Sequence, residues 1–310
     1  MTVMDRISRI LERLSVGGVV ECSDWPGESD ILYEGLGLVC TDGFLEWPHQ
    51  LDSLDNSFIQ AELAMLKVAT FSITDSTNTR LVQLGAKSSV ASRLYLAEFQ
   101  HGGRGRRGRP WLSPYARNLA MSLGVETKHK IAELGGLSLV VGLGLASGFE
   151  SLGINSLRLK WPNDILICEL NTPPKKLSGI LVELLQRGDC LEYVVGMGVN
   201  VTLSDAEIDS IGQPATDLQR CGVSISRTDL VVTLISSVLQ YLELFEVEGF
   251  SPFVNAFNEN HLFHEETCSI VQGENAIVGR VLGVGGQGEL ILDTNNGVQS
   301  FHGGEVSLRA

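Results

Sequence analysis

The sequence predicts an α+β fold, a mixed or antiparallel sheet covered by helices, with a small β-barrel at its C-terminal end. Two patterns carry this reading. In the middle of the chain several strand-like runs meet across short turns instead of alternating one for one with helices, which separates this arrangement from a doubly wound one. From about residue 265, short strands recur at a spacing near ten with Gly-rich turns between them, the sign of a small barrel. A third observation divides the chain by charge. Residues 1–70 hold 4 basic and 12 acidic groups, residues 71–244 hold 17 and 16, and residues 245–310 hold 2 and 9. The cations sit in the middle segment, so a site for an anionic ligand is expected there.

The elements follow in order. Residues 1–13 read as an amphipathic helix with Ile7, Ile10, Leu11 and Leu14 on one face. Apolar runs at 36–40 and 44–47 flank Asp42-Gly43, which predicts a tight hairpin. Ser57 is expected to cap a helix over 58–66, and a strand follows over 68–73. Strands are expected at 94–99 and 118–125, then a helix over 133–152 whose glycines suit close helix packing. Strands at 157–161 and 164–168 turn around Pro162-Asn163, and two more lie at 176–185 and 193–201. Leu230, Leu234, Val238, Tyr241, Leu242 and Phe245 mark a further helix. The barrel strands are 268–271, 276–284, 289–293 and 298–302.

Composition excludes some classes. With 310 residues and 44% apolar content, the chain suits a catalytic domain plus one or two small satellites, not a short binding module. A net charge of −14 is too acidic for a protein that coats nucleic acid or anionic membrane by bulk electrostatics. No run of about 18 apolar residues spans a bilayer and the start is not a signal peptide, so no membrane role and a cytoplasmic location are expected. Cys22, Cys40, Cys168, Cys190, Cys221 and Cys268 are scattered without metal-ligand spacing and are expected to be buried free thiols.

The chemistry concentrates in a few motifs. Gly103-Arg104-Gly105-Arg106-Arg107-Gly108-Arg109 places four cations among three glycines, directly before Pro110-Trp111. Such a loop brings guanidinium forks and backbone N–H groups to an anion; a solvated basic loop and an Arg-Gly RNA patch are the alternatives. Trp111 fits either a base stack or core packing. Lys160-Trp161-Pro162-Asn163-Asp164 puts a cation, a turn and a carboxylate between two strands, a Mg²⁺ and phosphate site or a plain Asn-Asp hairpin turn. Lys176 opens an apolar strand, where lysine is usually just exposed. Asp75-Ser76-Thr77-Asn78 precedes a helix pattern at Leu81 and Leu84 and reads first as a cap, second as a polar ligand contact. Gly196-Met197-Gly198-Val199-Asn200 is half of a dinucleotide fingerprint without its third glycine, and no GxxxxGK[ST] loop exists.

In order and spacing these motifs, with Ala97-Glu98-Phe99-Gln100, the run from Lys176 to Glu183 and the terminal Gly303-Gly304-Glu305-Val306-Ser307-Leu308-Arg309, closely resemble the bacterial biotin protein ligase family. The resemblance covers roughly residues 68–310. It implies a class II aminoacyl-tRNA synthetase-like catalytic core over 67–262, an SH3-like barrel over 263–310 and a degenerate winged-helix-like segment over 1–66. It also implies that biotin and ATP form biotinyl-5′-AMP with Mg²⁺, and that biotin then passes to a lysine of the biotin carboxyl carrier domain of acetyl-CoA carboxylase. Ser76, Thr77, Asn78 and Gln100 would meet the ureido end of biotin, and Arg104, Gly105 and Arg106 would form part of the ligand loop. Trp111, Lys160, Asn163, Asp164, Asn200 and Arg309 would serve ATP, with Asp164 on the metal. Lys176 would lie between the biotin carboxylate and the α-phosphate, aided by Arg106 and Arg109. A homodimer on biotinyl-AMP binding is implied as well.

Relatives of this kind often repress transcription through an N-terminal winged helix. Here residues 15–34 hold Glu21, Asp24, Glu28, Asp30 and Glu34, with Glu12 just before, and no Lys or Arg. A recognition helix needs basic and amide side chains, so DNA binding is expected to be lost. A bifunctional ligase and repressor is the rival reading. A lipoate ligase is the nearest enzyme competitor, and an RNA-binding protein using the Arg-Gly loop is a third class.

Overall fold

A computed structural model describes residues 2–26, 36–47, 51–272, 275–302 and 305–308. Its centre is a seven-stranded sheet. The strands are β3 (Lys67–Phe71), β4 (Arg93–Ala97), β5 (Asn118–Thr127), β6 (Leu157–Lys160), β7 (Asp164–Ile167), β8 (Lys175–Arg187) and β9 (Cys190–Asn200). They lie in the order β3-β4-β5-β9-β8-β7-β6. The β3–β4 pair is parallel and the others are antiparallel, so the sheet is mixed, as expected.

Period-two alternation gives this sheet two different faces. Leu119, Met121 and Leu123 of β5 and Tyr193, Val195, Met197 and Val199 of β9 join the main core. Helices α4 (Leu137–Ser151) and α6 (Arg227–Glu248) cover that side, and Gly144 and Gly148 let α4 approach Val238 and Leu234 of α6 closely. By length and composition α6 is apolar enough to cross a membrane, yet Leu230, Val231, Leu234, Ile235, Val238 and Phe245 are buried in this core. The opposite face carries Ala120, Ser122 and Gly124 against Gly198, Gly196 and Val194. There α3 (Thr77–Gly85) covers only one end, through Leu81 packed on Val90 and Val194, and the rest of that face lines a cavity.

Two smaller parts flank the sheet. Helix α1 (Val3–Ser15) and the hairpin of β1 (Val39–Thr41) and β2 (Phe44–Glu46) form the N-terminal part. Ile7, Leu11, Leu36 and Leu38 pack with Ile73, Phe99 and Tyr115 of the central part. At the C-terminal end β10 (Thr267–Gln272), β11 (Asn275–Val284), β12 (Leu290–Thr294), β13 (Gly297–Phe301) and β14 (Glu305–Leu308) make a five-stranded antiparallel sheet. Its Ile270, Val281, Leu290 and Leu292 extend the main core, and Trp161 Nε1 donates to the Gly288 carbonyl at 3.0 Å.

Several expectations are corrected. The cap of α2 (Asn56–Glu62) is Asp55, not Ser57: its carboxylate accepts from the Ser57 and Phe58 N–H groups, and the helix stops four residues earlier than expected. α4 starts at Leu137 because residues 131–133 form a separate 3₁₀ turn. The short helices α5 (Asp205–Ser210) and α7 (Val254–Asn260), and strand β14, carry too little periodicity to be foreseen. The thiols are also corrected. Cys22 and Cys40 form a disulfide with Cα atoms 6.1 Å apart, Cys190 is exposed, and only Cys268 is a fully buried free thiol.

Candidate active site

The open sheet face forms the floor of a cavity of about 1050 Å³. Every site residue expected from the sequence lines it except Arg309, which lies outside the described residues. The floor is made mostly of small residues in register across three strands: Ala120, Gly198 and Gly179 in one row, Ser122 and Gly196 beside the larger Leu181 in the next. The Gly196-Met197-Gly198 run is therefore a strand, not a nucleotide loop. A Cβ on Gly198 would sit 2.4 Å from Trp111 Cε2, and one on Gly196 2.4 Å from Asn78 Oδ1. Glycine is what admits the indole at one end and the amide at the other.

One end is a buried polar cluster. Ser76 caps α3 by accepting from the Thr79 N–H, so the capping reading holds, while Thr77 and Asn78 turn into the cavity. Gln100 Oε1 accepts from the Thr77 N–H at 2.7 Å and its hydroxyl at 3.1 Å, which leaves the Gln100 NH₂ as donor. Ser122 Oγ stands 2.7 Å from Thr77 Oγ1 and 2.5 Å from Asn78 Oδ1. Ser122 belongs to no motif in the sequence, and its place is set by its cross-strand partner Gly196.

The other end is cationic. Lys160 and Asp164 close the β6–β7 hairpin, so Lys160–Asp164 is both a turn and a cavity wall. Lys176 is half-buried, with Nζ 2.7 Å from Asp164 Oδ1 and 5.5 Å from the Trp111 ring centroid. The Lys176 ammonium thereby pairs with the Asp164 carboxylate at the cavity wall. Arg106 donates to Asn163 Oδ1 at 3.4 Å, and Asn163 Nδ2 donates to the Ile180 carbonyl at 3.0 Å. Asn200 Nδ2 donates to the Thr216 and Lys176 carbonyls at 3.0 and 3.4 Å, and so braces the Lys176 backbone. Arg106, Arg107, Arg109, Lys160 and Lys176 outnumber the lining carboxylates Asp164 and Glu207. An anion placed there meets fixed positive charge.

The Arg-Gly tract folds back on itself. The Gly105 N–H donates to the Arg109 carbonyl at 2.7 Å, the Trp111 N–H to Gly103 at 2.9 Å, and the turn uses left-handed Arg107 and Gly108. Arg104 does not face the cationic end; it is bound to Glu183 and Thr79. Behind the loop Tyr115 stacks on Trp47 at 4.7 Å, and burial beside the Glu98 carboxylate holds its phenol neutral. Glu98 itself pairs with the fully buried Arg227 at 2.6 Å, and Arg227 also holds the Asp52 and Asn118 carbonyls.

Fold and cavity define a ligase of the biotin and lipoate class: residues 70–200 match the Biotin/lipoate A/B protein ligase family. Residues 263–309 match the Biotin protein ligase C terminal domain. The bifunctional ligase/repressor BirA of Salmonella typhimurium is 36% identical over 265 residues, 85% of this chain and 81% of its own length. The biotin--[acetyl-CoA-carboxylase] ligase of Paracoccus denitrificans is 30% identical over 242 residues, 75% of this chain and 97% of its own. Among solved structures, the biotin protein ligase of Aquifex aeolicus in complex with biotin and ATP aligns with a TM-score of 0.64 at 28% identity, over 78% of this chain and 98% of that one. The chain belongs to the biotin protein ligase family.

Proposed function

We infer that the protein is an ATP-dependent biotin protein ligase, which joins biotin and ATP into biotinyl-5′-AMP and then transfers biotin to a lysine of a carboxylase biotin carrier domain. The observation that carries this reading is the two-ended cavity. A cyclic urea offers one carbonyl acceptor and N–H donors, and the polar end offers the Gln100 NH₂ as donor with, as acceptor, whichever of Asn78 Oδ1 and Thr77 Oγ1 the single Ser122 hydrogen leaves open. Lipoate has no such group and would leave these buried atoms unpaired, which favours biotin over the lipoate alternative.

At the cationic end the biotin carboxylate attacks the α-phosphorus, pyrophosphate leaves, and negative charge grows on phosphate oxygens. Lys176, with Arg106 and Arg109, stabilises that charge. No covalent enzyme nucleophile is required. Trp111 takes the adenine side; Lys160, Asn163, Asn200 and Arg309 serve the nucleotide. Asp164 fits Mg²⁺: its carboxylate lines the cationic end of the cavity, and Mg²⁺ is commonly held by one or two carboxylates plus substrate phosphates. When bound, the metal would neutralise phosphate charge. In the second step the acceptor amine attacks the acyl carbon and AMP departs, while Gly105 and the rest of the Arg-Gly loop keep water from the mixed anhydride.

The wider reading has residues 67–262 as a class II synthetase-like catalytic domain, 263–310 as an SH3-like barrel and 1–66 as a degenerate winged-helix-like segment. The enzyme is cytoplasmic, forms a homodimer on biotinyl-AMP binding, and acts on the carrier domain of acetyl-CoA carboxylase. Biotin-dependent ATP–pyrophosphate exchange tests the assignment, followed by labelling of a purified carrier domain. Absence of exchange with biotin refutes it.

A second reading has support. The Salmonella relative is a ligase/repressor and aligns over 85% of this chain. Arg6, Arg9 and Arg13 line one exposed face of α1, and residues 27–35, within the stretch where a recognition helix would lie, are outside the described residues. A gel shift on the biotin-operon promoter with biotin and ATP separates the two; salt-sensitive nanomolar binding favours the bifunctional protein.

A further inference from the structure

We propose that Glu183 is a specificity-determining positioning residue: its carboxylate sets which end of the Asn78 amide faces the cavity and ties the Arg-Gly loop to that same setting. The proposal rests on the urea-binding reading of the polar end. Glu183 lies on β8 opposite Val194, on the cavity side of the sheet. Glu183 Oε2 accepts from Asn78 Nδ2 at 2.9 Å. Both oxygens accept from Arg104 Nη2, at 2.8 and 3.1 Å. Arg104 Nη1 in turn donates to Thr79 Oγ1 at 2.5 Å, one residue beyond Asn78.

The orientation of Asn78 follows from what surrounds it. Its outer edge meets the Glu183 carboxylate and, at 3.5 Å, the Leu181 carbonyl. Both only accept, so the NH₂ must face them and Oδ1 must face inward. Inward, Oδ1 lies 2.5 Å from Ser122 Oγ. The single Ser122 hydrogen serves either Asn78 Oδ1 or Thr77 Oγ1, since the Thr77 hydrogen goes to Gln100 Oε1. One acceptor therefore stays open for a ligand N–H. If Asn78 turned over, its NH₂ would fill that place and the site would present a donor where a urea also presents one. Glu183 makes the turned-over state costly, because an amide oxygen would then face a carboxylate. The same carboxylate neutralises Arg104, so one residue both orients Asn78 and pins the loop.

The test uses Glu183→Gln, which keeps the shape but offers both an amide donor and an acceptor, so either Asn78 orientation is satisfied. Exchange is measured with biotin and with an analogue in which ring oxygen replaces one ureido N–H. The expected result is at least an about tenfold rise in KM for biotin, KM for ATP within about twofold, and at least an about tenfold fall in the kcat/KM preference for biotin over the analogue. A purely structural role would lower both substrates together and leave the preference intact, and that result overturns the proposal. Arg104→Ala, which keeps the Glu183–Asn78 bond, should speed release of labelled biotinyl-AMP with the preference unchanged; loss of preference there also overturns it. Should Glu183→Gln lack a wild-type-like melting transition, the Arg104→Ala outcomes decide. Wild-type enzyme without any biotin-dependent exchange refutes the parent reading instead.

Discussion

The glycine floor makes a position-resolved prediction. Alanine at 196 or 198 places a Cβ 2.4 Å from Asn78 Oδ1 or from Trp111 Cε2, where ordinary contact begins near 3.4 Å, so each neighbour must retreat by about 1 Å. A shift of that size in a positioning group costs on the order of 10²-fold. Because the two rows face opposite ends of the cavity, the losses should separate. Gly196→Ala raises KM for biotin with little effect on ATP, and Gly198→Ala raises KM for ATP with little effect on biotin, measured by pyrophosphate exchange with each substrate varied alone. Gly124→Ala is the control, since its Cβ would lie 2.2 Å from the Val90 carbonyl outside the cavity. It should cost about 1–3 kcal/mol of stability and move neither constant. Equal shifts of both constants in all three variants would refute the reasoning.

Other expectations follow from single contacts. His261 is buried between Phe257 and Phe263 with neither ring nitrogen bonded, and burial, with His264 nearby, pushes its pKa from 6.5 down to about 3. The unfolded chain then binds the extra proton below pH 6.5, so stability is full above 6.5 and falls toward pH 3, by about 2 kcal/mol at pH 5. His261→Leu should flatten urea-unfolding stability between pH 7.5 and 5; an unchanged slope rejects this. Lys176→Ala should reduce adenylate formation by roughly 10²–10³-fold and transfer from supplied biotinyl-AMP far less, read in separate half-reactions. Equal losses would remove Lys176 from the first step. Arg227→Met strands Glu98 and should cost about 3–5 kcal/mol in chemical unfolding, a loss partly recovered by adding Glu98→Gln. Arg106→Ala should speed leakage of labelled biotinyl-AMP, and unchanged retention counts against a shielding loop.

Much of the site is legible in the chain because its parts are local. Ser76 caps α3, Asp42-Gly43 turns the hairpin and Lys160–Asp164 closes another, each through bonds made within a few residues. Other features are set from far away. Asp55 and Ser57 are both good caps, and the choice falls to Asp55, whose N–H is fixed by Thr228 at 3.0 Å. Cys22 and Cys40 have no telling spacing and meet only where the residues after α1 bridge to β2 beside β1. A lysine that opens an apolar strand is usually exposed, but Asp164 and Trp111 from other strands and loops enclose Lys176.

By itself the sequence determined the α+β class and the segment that holds the cations, because periodicity and charge pattern record local geometry, and the family resemblance of its motifs named fourteen of the residues that line the cavity. Only the tertiary structure decided what those residues present to a ligand. Gly196 and Gly198 became a floor through register with β5 and β8, and Arg104 of the ligand loop paired with Glu183. Ser122 and Glu183 gained their roles from partners 44 and 105 residues away along the chain. Hydrogen-bond polarity and steric room at a point depend on which strands lie side by side, and the contacts that set this register lie far apart in the sequence.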